Sequence, residues 1–318
     1  MDAAITGGMK RIILAGGSGF LGQALAAYFR SAQWDVVILT RSPDQPDVAG
    51  RQVAWDARTL GPWKNELEGA TAVVNLTGKS VNCRYNARNR HEILDSRINS
   101  TRVLGQAIGQ CAQPPKVWLN ASTATVYRHT FANAWDETGE VEATAEAKDR
   151  FSVEVAWAWE HALQEAATPR TRKIAMRMAM VLGLGRNSVF PVLRRLTRLG
   201  LGGKMGSGRQ FVSWIHEVDF CRAVEWLIGH AEIEGPVNLT APCPVPNDEM
   251  MRTLRRVCRV PLGLPATRWM LEVGAFFLRT ETELIIKSRR VIPGRLLQSG
   301  FTFQFPTIRE GFEDLNRR

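Results

Sequence analysis

Between residues 15 and 22 the chain reads AGGSGFLG, which places Gly16, Gly19 and Gly22 at even spacing. Glycines so placed, after a strand and at the start of a helix, allow a tight turn. They also let backbone N–H groups approach a pyrophosphate, whose charge the helix N-terminus favours. The chemistry implied is dinucleotide binding. Sites that hold an adenosine ribose free of phosphate usually place a carboxylate about 20 residues beyond the glycines. Here the second strand ends in Thr40-Arg41-Ser42 instead. An arginine there suits a 2′-phosphate, so NADP(H) is the expected cofactor, with a merely solvated Arg41 as the plainer alternative.

A second stretch, DRFSVEVAWAWE at 149–160, sets Phe151, Val155 and Trp159 at i, i+4 and i+8, one apolar line on a helix. The line is either core or a wall standing where chemistry is expected. Other constellations fail on spacing. GLGGKMGSGR lacks the GxxxxGK[ST] order of a phosphate loop, and HExxH fails because residue 220 is Phe. Asp219 reads as the cap of a helix starting there. GxSxG fails after Ser18, where Phe20 holds the glycine position. The cysteines at 83, 111, 221, 243 and 258 form no CxxC pair, so neither a zinc site nor a disulfide framework is expected.

The elements that must position these residues alternate. RIILA (11–15), VVILTR (36–41), AVVNLTG (72–78) and VWLNAST (117–123) read as strands, while 20–32 and 91–111 read as helices. Short apolar strands joined by helices indicate a parallel, doubly wound sheet, an α/β fold. Beyond about residue 183 the texture changes to glycine-rich loops and short elements. A helix (AVEWLIGH), a strand (PVNLT) and another helix (DEMMRTLRRVCR) follow.

A chain of 318 residues that is 45% hydrophobic can bury a large core. Its net charge of +10 raises nucleic acid as a partner, but no helix-turn-helix, zinc-finger or aromatic RNA-binding signature accompanies the charge, so none is expected. The ten tryptophans read as core and interface. No apolar run approaches the roughly 20 residues of a membrane span, and the N-terminus does not read as a secretion signal. The expectation is a cytoplasmic protein with no membrane partner. Six cations at 186, 194, 195, 198, 204 and 209, with no acid among them, read either as solvated cations on a helix or, where that stretch faces the cleft, as a grip on a small anionic substrate.

With AGGSGFLG, NLTG (75–78) and STATVY (122–127) in view, the chain resembles the extended short-chain dehydrogenase/reductases, the NAD-dependent epimerase/dehydratase group. GLGGKMGSGRQFVSWIHEVD (200–219), GPVNLTAPCPVPNDEM (235–250) and SRRVIPGRLLQSGFTF (288–303) narrow the resemblance. They are similar to an epimerase-like subfamily with its own C-terminal domain, whose relatives carry cell-division-inhibitor and nucleoside-diphosphate-sugar-epimerase labels. The resemblance implies a Rossmann core over 10–183, to which 210–240 returns. It implies a smaller substrate-side lobe from 184–209 and 241–318, including a C-terminal domain at 265–316; the alternation of FTFQF (301–305) and the amphipathic IREGF (308–312) lead us to expect that domain folded onto the lobe.

The resemblance also assigns residues. Gly16, Ser18, Gly19, Phe20, Leu21 and Gly22 would wrap the pyrophosphate, and Thr40 and Arg41 would face the adenosine phosphate. Leu76, Thr77, Gly78 and Ser122 would border the cofactor, while Glu92 and Arg97 would reach the riboses. Thr123 matches the Ser/Thr that bonds the substrate oxygen in active relatives. Those relatives carry a Tyr-x-x-x-Lys pair for proton transfer, and its slots here hold Phe151 and Val155. Tyr127 and Lys148 are the nearby groups with suitable chemistry, each with a structural role as the plainer alternative. Two functions stay open: an NADP(H)-dependent epimerase or reductase with an atypical site, or a non-catalytic NADPH-binding regulator acting through a protein partner.

Overall fold

The computed structural model of the chain describes residues 9–267, 270 and 287–318. Arg11–Ala15 (β1) carries Ile12 and Leu14 to one face of a sheet and Ile13 to the other, all fully buried. The sheet has seven strands. In spatial order they are Arg51–Ala54 (β3), Asp35–Thr40 (β2), β1, Ala72–Asn75 (β4), Val117–Thr123 (β5), Arg172–Met178 (β6) and Gly235–Leu239 (β10). Every pairing is parallel, with Ile12 opposite Val36 on one side and Ala72 on the other. Strands buried on both faces read as near-continuous apolar runs, which is why β1, β2, β4 and β5 are legible in the sequence. The order reverses between β1 and β4, and the crevice at the carboxyl ends there is where such sheets bind ligands.

Helix Phe20–Ser31 (α1) buries Gly22, Leu25, Ala26 and Phe29, a stripe at helical spacing, against one face of the sheet. Glu217–Gly229 (α5) covers the same face through Phe220, Val224 and Leu227. The other face is covered by Ala87–Gly109 (α2) and Arg150–Gln164 (α3), through Val103, Leu104 and Leu163. Each fully buried Leu or Phe of these stripes contributes about 1.5–3 kcal/mol.

A second core gathers Val189–Arg198 (α4), Asn247–Cys258 (α6), the short strands β7 (Met180–Leu182), β8 (Phe211–Val212), β9 (Trp214–His216) and β11 (Val245–Pro246), and a terminal helix Ile308–Arg317 (α8). Helix α8 begins on a capping box, Thr307 and Glu310 bonding each other's backbone N–H, and buries Ile308, Phe312 and Leu315.

Of the C-terminal unit expected on the lobe over 265–316, residues 268–269 and 271–286 lie outside the described residues, and the described part contacts both the lobe and the sheet. Leu296 of the short helix Gly294–Gln298 (α7) and Phe301 pack into the sheet core beside β10, while Ala266 bonds Lys204 and Gly206, Arg289 bonds Phe211 of β8, and α8 packs into the lobe core. The apolar alternation of FTFQF fills a seam against α5 without forming a strand. Asp219 likewise does not cap α5. His216 does, its Nδ1 accepting from Val218 N, while Asp219 sits in the first turn and accepts from the backbone N–H groups of Gln304 and Phe305. Its carboxylate satisfies tail backbone that has no ladder of its own.

Candidate active site

The loop after β1 is shaped by glycine where side chains would collide. Gly16 has φ 73°, and a Cβ there would stand 2.8 Å from Thr77 Oγ1; a Cβ on Gly22 would lie 2.4 Å from Gly17 Cα. A Cβ on Gly19 would meet nothing nearer than 3.9 Å, so the loop opens on that side. Gly19 precedes α1 with no side-chain cap and no acid in the first turn, leaving helix N–H groups to face the groove. Thr77 Oγ1 is buried beside it without a hydrogen-bond partner among the described residues. Open space, uncapped donors and an orphaned hydroxyl fit a pyrophosphate.

The groove has two arms that share Gly16, Gly19, Leu76, Gly78, Lys79 and Ser80. The arm beside β2 is lined by Ser18, Thr40, Arg41, Thr77 and Glu92. It also contains Asp56 and Arg58, from the exit of β3. This is a correction to the view that no carboxylate stands near Arg41. Asp56 is turned into its own loop, Oδ1 accepting from Arg58 N and Thr59 N and Oδ2 from the Thr59 hydroxyl. Those bonds hold its pKa down at about 2. Arg41 and Arg58 line this arm as cations, and among the described residues neither forms an ion pair with Asp56. Glu92 is paired with Lys79 and Arg88, the Lys79 bond first in holding its carboxyl down at about 2.

The other arm, about 520 Å³, reaches α3. Phe151, Val155 and Trp159 all line it, together with Ser122, Thr123, Thr125, Tyr85 and Arg97. The apolar line of α3 is therefore a cleft wall. Tyr85 meets Phe151 edge-on at 5.1 Å, and the Trp159 indole donates to Thr101 Oγ1, which fixes the ring. The Arg97 guanidinium lies 4.9 Å over that ring and donates to the carbonyls of Lys79 and Ile93. Burial pulls its pKa down to about 10. Among the described residues, Lys79 and Arg97 are the cations of this arm and no carboxylate lines it.

Tyr127 and Lys148 do not line either arm. Tyr127 lies behind the sheet end, donating to Asn238 Oδ1 at 2.8 Å and accepting from Arg177 Nη1 at 2.9 Å, and burial raises its pKa despite the guanidinium. Lys148 is exposed with φ 54°. None of the six cations at 186–209 lines the cleft either. Arg194 stacks on Phe190 and bonds Leu315 O, Arg198 bonds Asn316, and Arg209 lies over Phe131. Arg194 and Arg198 thereby tie α4 to α8. Trp55, Asp56 and Arg58 are hard to find by sequence pattern, because β3 is a four-residue edge strand with polar Arg51 and Gln52. Among the described residues no group of His, Cys, Asp and Glu has metal-binding geometry, and no helix is long and apolar enough to cross a membrane.

A seven-stranded doubly wound sheet with a glycine loop at its switch point defines a dinucleotide-binding protein of the Rossmann class. Residues 12–239 match the NAD dependent epimerase/dehydratase family and residues 266–315 match a domain of unknown function, DUF1731. The chain belongs to that epimerase/dehydratase family. It is 30% identical over 298 residues to the epimerase family protein YfhF of Bacillus subtilis, covering 93% of this chain and 95% of that one. It is 29% identical over 310 residues to human epimerase family protein SDR39U1, covering 96% and 99%. The crystal structure of human SDR39U1 (isoform 2) with NADPH superposes with a TM-score of 0.84 at 27% identity, over 97% of this chain and 99% of that one.

Proposed function

We propose that the protein binds NADPH along this groove and acts on a small anionic carbonyl compound as an epimerase- or reductase-like member of its family, without a Tyr-x-x-x-Lys pair. The N–H groups at the start of α1 take the pyrophosphate, and Arg41 and Arg58 take the 2′-phosphate. The similarity to SDR39U1, whose structure contains NADPH, supports the choice of cofactor. The cofactor supplies hydride. The chain supplies orientation, through Thr123 and Thr125, and charge, through Arg97 and Lys79, in an arm that no carboxylate among the described residues lines.

The observation that carries this reading is the wall itself. Phe151 cannot transfer a proton and Val155 cannot supply a charge, yet both line the cleft. Positioned acid–base groups contribute about 10²–10⁴-fold each, so turnover of poorly activated substrates is expected to be slow. The same wall favours a second reading, a regulator that holds NADPH without spending it. Rapid-quench measurement on the NADPH-loaded protein separates them. Nucleotide sugars should be neither epimerised nor reduced, while an activated dicarbonyl such as 9,10-phenanthrenequinone should be reduced slowly with matching loss of NADPH. Fast nucleotide-sugar turnover contradicts the first reading, and no reduction of any carbonyl leaves the regulator.

A further inference from the structure

The C-terminal segment reaches the cleft from behind. Its residues 287–291 are locked by backbone bonds: Ser288 N donates to His129 Nδ1 at 2.9 Å, Arg289 N to Phe211 O at 2.9 Å, and Val291 N to Ser213 Oγ at 2.9 Å. So anchored, the segment brings two cations to one residue. Lys287, buried and paired with Asp149 just before α3, donates to Thr125 O. Arg289 Nη1 donates to Thr125 Oγ1 at 3.2 Å. Thr125 lines the cleft two residues beyond Thr123.

A hydroxyl has one hydrogen and two lone pairs. Thr123 Oγ1 accepts from Thr125 N at 3.2 Å, Thr125 Oγ1 accepts from Arg289, and the two hydroxyls lie 3.1 Å apart, sharing one hydrogen. Whichever of the two gives that hydrogen, the other has both lone pairs filled and keeps one O–H for a ligand. Ser122 is the reverse. Its hydroxyl lies 2.6 Å from Glu160 Oε1, on a carboxylate bound to Arg177, so its hydrogen is already committed and it offers the cleft lone pairs.

We propose that the C-terminal domain completes the cleft: Arg289, acting through Thr125, fixes and polarises the threonine pair as a hydrogen-bond donor to a ligand's carbonyl oxygen. Arg289 is a positioning residue, and it brings positive charge to the donor although the lysine slot of α3 holds valine. The inference rests on the carbonyl reading above. A charge-assisted chain of this kind donates more strongly than an isolated hydroxyl.

The test uses full-length protein loaded with NADP⁺, which has no hydride to give, and 9,10-phenanthrenequinone as probe. Affinity is read by equilibrium dialysis and the bound carbonyl stretch by infrared difference spectroscopy. Wild type should bind with the stretch shifted to lower frequency. Thr125→Val and Arg289→Met should each weaken binding about fivefold, the loss of one net hydrogen bond, and reverse part of the shift. Arg289→Lys should restore most of both. The double variant should be no worse than Thr125→Val alone, because Arg289 acts through Thr125. Additive losses, or an Arg289→Met protein with wild-type affinity and stretch, overturn the role given to Arg289. Wild type that takes up NADP⁺ but no quinone overturns the carbonyl reading and this inference with it. NADP⁺ affinity and thermal midpoint, measured on each variant, identify any protein that has merely lost its fold.

Discussion

Arg177 of β6 and Glu160 of α3 form a two-pronged ion pair, Nε to Oε1 at 2.9 Å and Nη2 to Oε2 at 2.8 Å, behind the carboxyl ends of the strands. Their side chains are 8% and 10% exposed. Burial pulls against the guanidinium's charge, but the bonds to Glu160 win and its pKa is raised. The pair extends to Ser122 on one side and to Tyr127 and Asn238 on the other, so it joins the cleft floor to β10.

Removing one partner leaves the other charge buried. Glu160→Gln should therefore cost about 3–5 kcal/mol of unfolding free energy, whereas the paired replacement Glu160→Leu with Arg177→Met should cost clearly less. Urea melts of the three proteins check this; equal losses for the single and paired variants would show that packing volume matters more than charge.

Phe312 should matter nearly as much. It is fully buried on α8 and lies 5.6 Å from Phe190, so it fastens the tail to the lobe. Phe312→Ala should cost about 3–5 kcal/mol. Deleting residues 308–318 should expose the same apolar face and lower solubility, which light scattering would detect. A truncated protein as stable and soluble as the full chain would contradict this placement of the tail.

His216 predicts acid sensitivity. Desolvation first pulls its pKa from 6.5 to about 4, against the nearby charges of Asp314 and Asp219 and together with that of Arg318. Between those values the unfolded chain binds the proton and the folded chain does not, so stability falls as pH drops through that window. The slope is about 1.4 kcal/mol per unit at most. Glu217, whose carboxyl burial pushes up, acts in the opposite sense. His216→Asn keeps a capping side chain without a titrating group and should flatten the profile between pH 6.5 and 4.5. An unchanged slope in that variant would place the acid sensitivity elsewhere.

The parts of the fold written in local pattern were legible, and those written in long-range pairing were not. AGGSGFLG between an apolar strand and a helix announces itself, and Phe151, Val155 and Trp159 stand at helical spacing. Strand β6 was missed because Arg172, Lys173 and Arg177 break its apolar run; Arg177 is tolerated there only because Glu160 meets it across the fold. The meeting of Lys287 with Asp149, and of Arg289 with Thr125, joins segments more than a hundred residues apart, and no spacing rule reports it. The type and position of Asp219 suit a cap, but the backbone it satisfies belongs to the tail.

Nucleotide preference tests the central claim, that this groove is an NADPH site. Arg41 and Arg58 line the adenosine arm and Asp56 is turned away into its own loop. Isothermal titration with NADPH and NADH should show NADPH binding more tightly. Arg41→Ala should remove about 1.5–3 kcal/mol of that preference, the worth of a charge-assisted contact, and the added change Arg58→Ala should remove what remains. NADH affinity should stay the same throughout. Equal affinities of the wild-type protein for the two nucleotides, or no binding of either, would contradict the account.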